Sequence, residues 1–459
     1  MKRYSCYIYA ALLLVTLGAC SRQLDLKPEG TMVEADLLKN KQTTESFLAD
    51  TYLQLMKSAA GNGFIFGDVT GNVVSSFDQA LVKGAVDPRD ANYDALWSTP
   101  YATINQANVI ITQLSKYADF DATLQQQFIA EAKFIRAFGH LLLLRMYGDG
   151  ALQNKPNNMG IPLMLQSFDG YDGSQNKARN TNAEVYTQIL KDLDEAIAVL
   201  PEKRTDPVAQ ASRATKGAAT ALAARVCLYQ QDYAKAAAYA NMVLAAQLYS
   251  LQPSFETLWP DNAKGSGKYP LSSEIVFAFP ESWNNKSYGN HGIYYSYGYY
   301  QPLPDFLAIY EAQDERRTDM FTATQQMRKF TDPRLMDNVA MIRLPEVMLT
   351  AAEAMAQTAG VNATSVDLLN RVYARAYTKT PVPRVYTVAD FTTKQQLVDR
   401  ILLERKRELA FEGFARFDAI RSGQQPNPLL PANKYAMPVP QREIDITSGL
   451  IVQNPGYVQ

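Results

Sequence analysis

The chain has 459 residues, 47% of them hydrophobic and 20% charged, and its net charge is -1. That is enough for one large or two medium domains with a packed globular body. Near-neutrality excludes the basic footprint of a nucleic-acid binder or of a protein drawn to an anionic bilayer. With only two histidines, His140 and His291, a multi-histidine metal site is excluded as well.

The first segment carries Lys2 and Arg3, then an apolar run from Tyr7 to Leu17, then Gly18, Ala19 and Cys20. A bilayer-spanning helix needs about 20 apolar residues, so this run has the length of a signal-peptide core instead. Small residues before a cysteine allow cleavage, and the Cys20 thiol can take a thioether-linked lipid. The expectation is a lipoprotein: a signal peptide over 1–19 and a lipidated, polar tether over 20–30. Several acyl chains would anchor it stably. Ser21 follows Cys20, where an Asp would argue for retention at an inner membrane. Cys6 leaves with the leader and Cys20 is lipidated, so Cys227 stands alone and no internal disulfide can form.

Helical patterns follow. Ile104, Ala107, Asn108, Ile111 and Leu114 share one face of a first helix, and Phe128, Ala132, Ile135, Phe138 and Leu142 share one face of a second. The pair spans about 97–147 and ends at Gly148-Asp149-Gly150. A loop-rich stretch reaches about 180. Another helix is expected over 182–200, capped by Thr181 or Asn182 and stopped before Pro201. In 212–249, Ala218, Ala221, Leu222, Arg225 and Leu228 lead through Gln231-Asp232-Tyr233 to Ala236, Ala240 and Val243. Small residues at a helix crossing and a Tyr after a tight turn make a tetratricopeptide-type hairpin. Cys227 in this run reads as buried packing. Residues 344–376 repeat the hairpin more weakly, so stacked helix pairs are expected. Between the hairpins, Glu274 to Phe279 is a short strand candidate, and a long stretch dense in Tyr, Gly and Asn follows.

Six motifs in chain order resemble those of the SusD-like (RagB) outer-membrane lipoproteins of Bacteroidetes. They are Cys20 with Leu24-Asp25-Leu26-Lys27-Pro28; Glu131 to Phe138 with Tyr147-Gly148-Asp149; the 218–243 hairpin; Ile342-Arg343-Leu344-Pro345-Glu346-Val347 with Ala352-Glu353-Ala354; Glu404 to Gly413 with Phe417-Asp418 and Arg421; and Met437-Pro438-Val439-Pro440 through Gln453-Asn454-Pro455-Gly456-Tyr457. The resemblance implies a mainly α fold: four tetratricopeptide-like helix pairs, a loop-rich ligand-binding half and a few short strands. It divides the chain into an N-terminal region, 31–250, and a C-terminal region, 251–459, with an aromatic loop over 280–301. It implies a partner, a SusC-like TonB-dependent transporter, to which an oligosaccharide or other oligomeric nutrient is delivered at the outside of the outer membrane. It implies no cofactor and no enzymatic chemistry.

The candidate ligand-binding residues lie mostly in that loop: Trp283, Asn284, Asn285, Tyr288, His291, Tyr294, Tyr295, Tyr297, Tyr299 and Tyr300. Tyr and Trp are rigid amphipathic surfaces for sugar faces, and Asn and Tyr hydroxyls match sugar hydroxyls. Alternation at Tyr295-Ser296-Tyr297 also fits a strand with one face buried. Trp97 joins them through the family resemblance, against the alternative that it packs at the helix start. Trp259, before Pro260, is expected to pack. Glu404, Glu408 and Glu412 at i+4 spacing could suggest a glycosidase pair, but salt bridges along a helix produce the same spacing. Arg343, Glu346, Glu353, Arg416, Asp418 and Arg421 are expected to join them in a buried ionic network. His140, among Leu141 to Leu144, reads as a satisfied core histidine. Asp169-Gly170-Tyr171-Asp172-Gly173 lacks the remaining carboxylates of a calcium loop. Against a binding lipoprotein stand two other classes: a glycan hydrolase and a protein-binding tetratricopeptide scaffold.

Overall fold

The computed structural model describes residues 34–168, 170, 173–258, 272–280, 299–321, 324, 327–330 and 338–457. Helix α1, Lys41–Ala59, starts where the Asn40 side chain accepts from the Thr43 N–H at 3.0 Å. Such a cap satisfies one orphan donor of the first turn. It buries Thr44, Leu48, Thr51, Tyr52 and Leu55 on one face, and α2, Asn62–Thr70, follows directly. The periodic segments form α3, Asp94–Tyr117, and α4, Ala122–Tyr147. Helix α5, Asn182–Val199, opens with a reciprocal capping box between Thr181 and Glu184. The expected hairpin is α6, Lys216–Tyr229, and α7, Tyr233–Ala245. Gln231 takes a positive φ of 63° at its tight turn, and Asp232 caps α7 through the Lys235 N–H. The second hairpin is α8, Leu344–Ala359, and α9, Ala363–Ala374; then come α10, Lys394–Glu408, and α11, Ala415–Arg421.

From α3 to α10 each helix packs on the next in chain order, which gives four successive pairs. Burial explains the residue choice: Ala218, Ala219, Ala221, Ala223 and Ala224 of α6 are all buried, as are Ala236 and Ala240 of α7. Side chains this small let helix axes approach closely, and stacking supplies each pair with the core it cannot make alone. Helix α7 packs on α8, although nearly a hundred residues separate them in sequence. The region 250–338 is therefore an insertion between neighbouring members of the stack.

Two strands hold the root of the insertion. Strand β1, Ile275–Phe279, pairs antiparallel with β2, Val339–Arg343, from Ile275↔Arg343 to Phe279↔Val339. All ten residues are buried, which is why β1 reads as an apolar run without alternation; β2 ends in the buried Arg343 and was not expected as a strand. The Phe277 ring lies 5.1 Å from that of Phe134 and 6.3 Å from those of Tyr52 and Phe138. The insertion thus enters a core that extends from Leu38 to Ile451.

Candidate functional site

The carboxylate ladder of α10 is sealed in the interior. Glu404 accepts from Arg316 at 2.5 Å and Arg400 at 3.0 Å. Glu408 accepts from Arg375, from Arg343 at 3.0 Å and from Arg316 at 3.3 Å. Glu412 accepts from Lys329 at 2.6 Å and Arg343 at 2.7 Å. Glu274, at the mouth of β1, accepts from Arg375 and Arg343, and Asp314 holds Arg316 at 2.8 Å. Along the helix Glu404 meets Arg400 and, at 4.0 Å, Arg407; Glu412 stands beyond its end, and the other bonds reach across the fold. The expected intrahelical ladder is thus corrected to a tertiary one. Burial by itself would raise these carboxyls, but the facing cations outweigh it and hold Glu404, Glu408 and Glu412 below the usual carboxylate range. A general acid must keep a proton near neutral pH and reach its substrate. These three do neither.

Most members of the expected network are present: Arg225 donates to Glu346 at 2.6 Å, and Arg421 bridges Glu353 and Asp418. Arg416 is the exception. It is buried, lies over the Phe66 ring and donates to the Tyr435 carbonyl at 2.6 Å. With no carboxylate partner among the described residues, its guanidinium is lowered by burial to about 10. Beside it, Gly413 has a φ of +74° and a Cβ on Gly67 would sit 2.2 Å from the Gly413 carbonyl oxygen, so two glycines let α2 touch the 409–413 turn.

The first helical signature works the same way. Glu131 of α4 accepts from Tyr52 of α1 at 2.8 Å and from two nitrogens of Arg213 at 2.9 and 2.7 Å. Arg136 donates to Asp192 of α5 at 2.8 and 2.6 Å and to Asn108 of α3 at 2.9 Å. At the closing motif, Asn454 donates to the carbonyls of Tyr147 and Met437, at 2.8 and 2.6 Å. The charged and amide residues of these motifs are joints between helices.

The other chemistry is at an edge. Residues 73–75 run antiparallel to 301–303: Leu303 N–H donates to Val73 O at 2.9 Å, and Ser75 N–H to Gln301 O at 2.8 Å. Two residues beyond the last rung stand Phe77, 88% exposed, and Tyr299, 53% exposed. Tyr300 is half-buried and packs against the core. Asp78 braces this edge. One of its oxygens accepts from the Leu81 N–H at 2.9 Å, and the other from the Tyr93 hydroxyl at 2.5 Å. Burial and that bond raise the Tyr93 hydroxyl above its ordinary range; burial and the Asp78 charge raise that of Tyr300. Four aromatic residues therefore lie on or beside this edge.

Of the sequence candidates, Tyr299 and Tyr300 fall on this edge. Trp283, Asn284, Asn285, Tyr288, His291, Tyr294, Tyr295 and Tyr297 lie outside the described residues, as do Cys20 with its leader, Trp259, Asp169, Tyr171 and Asp172. Trp97 is buried in α3. Its ring is 5.1 Å from Tyr101 and 4.8 Å edge-on from Tyr147. This is the helix-start packing weighed against ligand contact, and it leaves the ring little face to offer. Sequence reading missed Phe77 and Tyr93. The one signal for Phe77 was an aromatic set between polar Ser76 and Asp78 after an apolar pair.

His140 is buried, but neither ring nitrogen has a hydrogen-bond partner among the described residues, so the expectation of a satisfied histidine is corrected. Burial, then the Arg136 charge, lowers it to about 3. Cys227 is buried in α6, and burial pushes its thiol up to about 12. Among the described residues no three His, Cys, Asp or Glu side chains converge to hold a metal, and no helix there is long and apolar enough to cross a membrane.

Known proteins share this arrangement. A family described as starch-binding and associating with the outer membrane matches residues 24–228, and the SusD family matches 311–428. SusD-like protein P2 of Formosa agariphila is 26% identical over the full length of both chains; P38 of the same organism is 23% identical over 94% of each. A SusD superfamily structure from Bacteroides thetaiotaomicron superposes with a TM-score of 0.76 at 23% identity, covering 90% of this chain and 99% of that one. A laminarin-binding SusD-like protein superposes with a TM-score of 0.67 at 24% identity, covering 91% and 100%. The second family match begins inside the insertion, the two together take in most of the helical stack and its charged joints, and the chain belongs to the SusD-like family.

Proposed function

We propose that this chain is a nutrient-binding lipoprotein on the outer face of the outer membrane, anchored through Cys20, that captures an oligomeric glycan and delivers it to a SusC-like TonB-dependent transporter. The observation that carries the reading is the edge where Phe77 and Tyr299 are exposed at the root of the aromatic stretch 281–298. Exposed large rings on a rigid frame suit sugar faces. The family description and the laminarin-binding relative support a glycan over a peptide. Each ring contact contributes about 0.5–1.5 kcal/mol if it behaves like an aromatic pair, so several together give micromolar to millimolar capture. Weak capture suits handover, which requires release.

Calorimetry with a panel of neutral oligosaccharides, laminarin oligosaccharides included, tests this. Saturable binding with no new reducing ends is expected; new reducing ends would make it a hydrolase. Binding unchanged in a Trp283→Ala, Tyr288→Ala variant would favour a protein-binding scaffold. Detergent pull-down from native membranes should recover a TonB-dependent barrel, and Cys20→Ala should leave binding intact while releasing the protein from membranes.

A further inference from the structure

The edge that carries Phe77 and Tyr299 also carries charge of one sign. The bridge Val74↔Pro302 sets an antiparallel register that, continued by three residues, places Phe77 opposite Tyr299 and Ser76 opposite Tyr300. Residues opposed in this way project to the same face, so the two exposed rings share a side of the edge. Along 73–78 and 299–305 the charged residues are Asp78 and Asp305, both acidic. Neither meets a cation among the described residues, and neither does Asp90. In the stretch 281–298 the acid Glu281 and the base Lys286 cancel. Asp78 is fixed in place, one oxygen by the Leu81 N–H at 2.9 Å and the other by the Tyr93 hydroxyl at 2.5 Å. After burial, its bond and charge raise the Tyr93 hydroxyl, and its charge raises that of Tyr300. The field of this carboxylate therefore reaches both strands of the edge.

We infer that this edge selects neutral glycans over those bearing uronate or sulfate groups, and that Asp78 sets the selection. The inference rests on the glycan reading of the same edge. Ring faces take the C–H surfaces of neutral and charged sugars alike, so they do not tell the two apart. A fixed carboxylate does. An anionic group about 7 Å from it binds about threefold more weakly where water screens the pair fully, and about fiftyfold more weakly at an effective dielectric of about 20. A neutral sugar meets no such repulsion. Salt screens the repulsion, so an anionic glycan should bind more tightly as salt rises, the reverse of its behaviour at a basic site.

The test is calorimetry on the full chain with glucan, mannan and galactan oligosaccharides, each native and after oxidation of its primary hydroxyls to carboxylates. Of whichever backbone binds, the native form should bind about threefold or more tightly than the oxidised one. The gap should narrow between about 20 and about 200 mM salt, a measurement that needs no variant. Asp78→Asn, shown folded by circular dichroism, should narrow it at low salt as well. Oxidised forms that bind as tightly as native ones, oxidised-form affinity that falls as salt rises, or a gap unchanged in folded Asp78→Asn would each overturn the selection and leave the glycan reading standing. No binding of either form of any backbone would overturn the glycan reading, and the selection with it.

Discussion

From Glu404 to Arg421 most charged side chains are buried and bonded, whereas at the 73–77 and 299–303 edge the Phe77 and Tyr299 rings are exposed. Both arrangements run against the usual placement of such residues. The difference separates what holds this protein from what it offers. A buried ion pair contributes little net stability compared with an apolar replacement, but its bonds are directional and it is costly to break. Glu274, Arg316 and Lys329 of the insertion each meet charges of the helical stack or of its turns. The insertion therefore has one seating on the stack. An exposed ring such as that of Phe77, in contrast, contributes little to folding and presents its face to a ligand.

Breaking the buried side of this comparison should have the largest effect. Glu408→Leu leaves Arg343, Arg375 and Arg316 short of a counter-charge and should cost about 3–5 kcal/mol, read as a lower urea midpoint with unchanged slope. A loss under about 1 kcal/mol would mean the network relaxes freely. Gly67→Ala drives a Cβ into the Gly413 carbonyl and should cost about 1–3 kcal/mol; thermal unfolding measures it, and no change would mean α2 is not held against the 409–413 turn.

His140 tests the same side through pH. Its folded pKa is depressed to about 3, so near pH 7 neither state is protonated and it contributes nothing. As pH falls below about 6.5, the unfolded chain takes up a proton that the folded one refuses, and stability is lost at up to about 1.4 kcal/mol per pH unit. His140→Leu should lose that slope: a wild-type deficit at pH 5 that vanishes at pH 7.5. Equal pH dependence of the two proteins would mean the imidazole finds a partner. The smallest effect on stability belongs to the edge. Phe77→Ala and Tyr299→Ala should each leave stability within about 0.5 kcal/mol and weaken oligosaccharide binding by about threefold to tenfold. Destabilisation without a binding change would move these rings from the offered surface to the frame.

The helical stack was legible because its signals are local. Apolar spacing and caps mark α3 to α9 within a few residues, and Thr181 with Glu184 announces the start of α5 outright. Helix α1 passed unread: Thr44, Thr51 and Tyr52 occupy its buried face, so apolar periodicity is diluted by polar residues whose partners are far along the chain. The ionic network was expected from its residues, yet its pairing was not, since Glu408 meets Arg343 and Arg375 only after β2 and α9 are in place. Sequence alone determined helix content, the order of the stack, the family motifs and where the aromatic stretch lies. Tertiary structure decided that α7 and α8 are neighbours across the insertion, that Trp97 turns inward and Phe77 outward, and that Arg416 meets no carboxylate among the described residues. Periodicity and capping act over one or two turns of chain, whereas exposure and charge pairing depend on what distant segments bring to the same place.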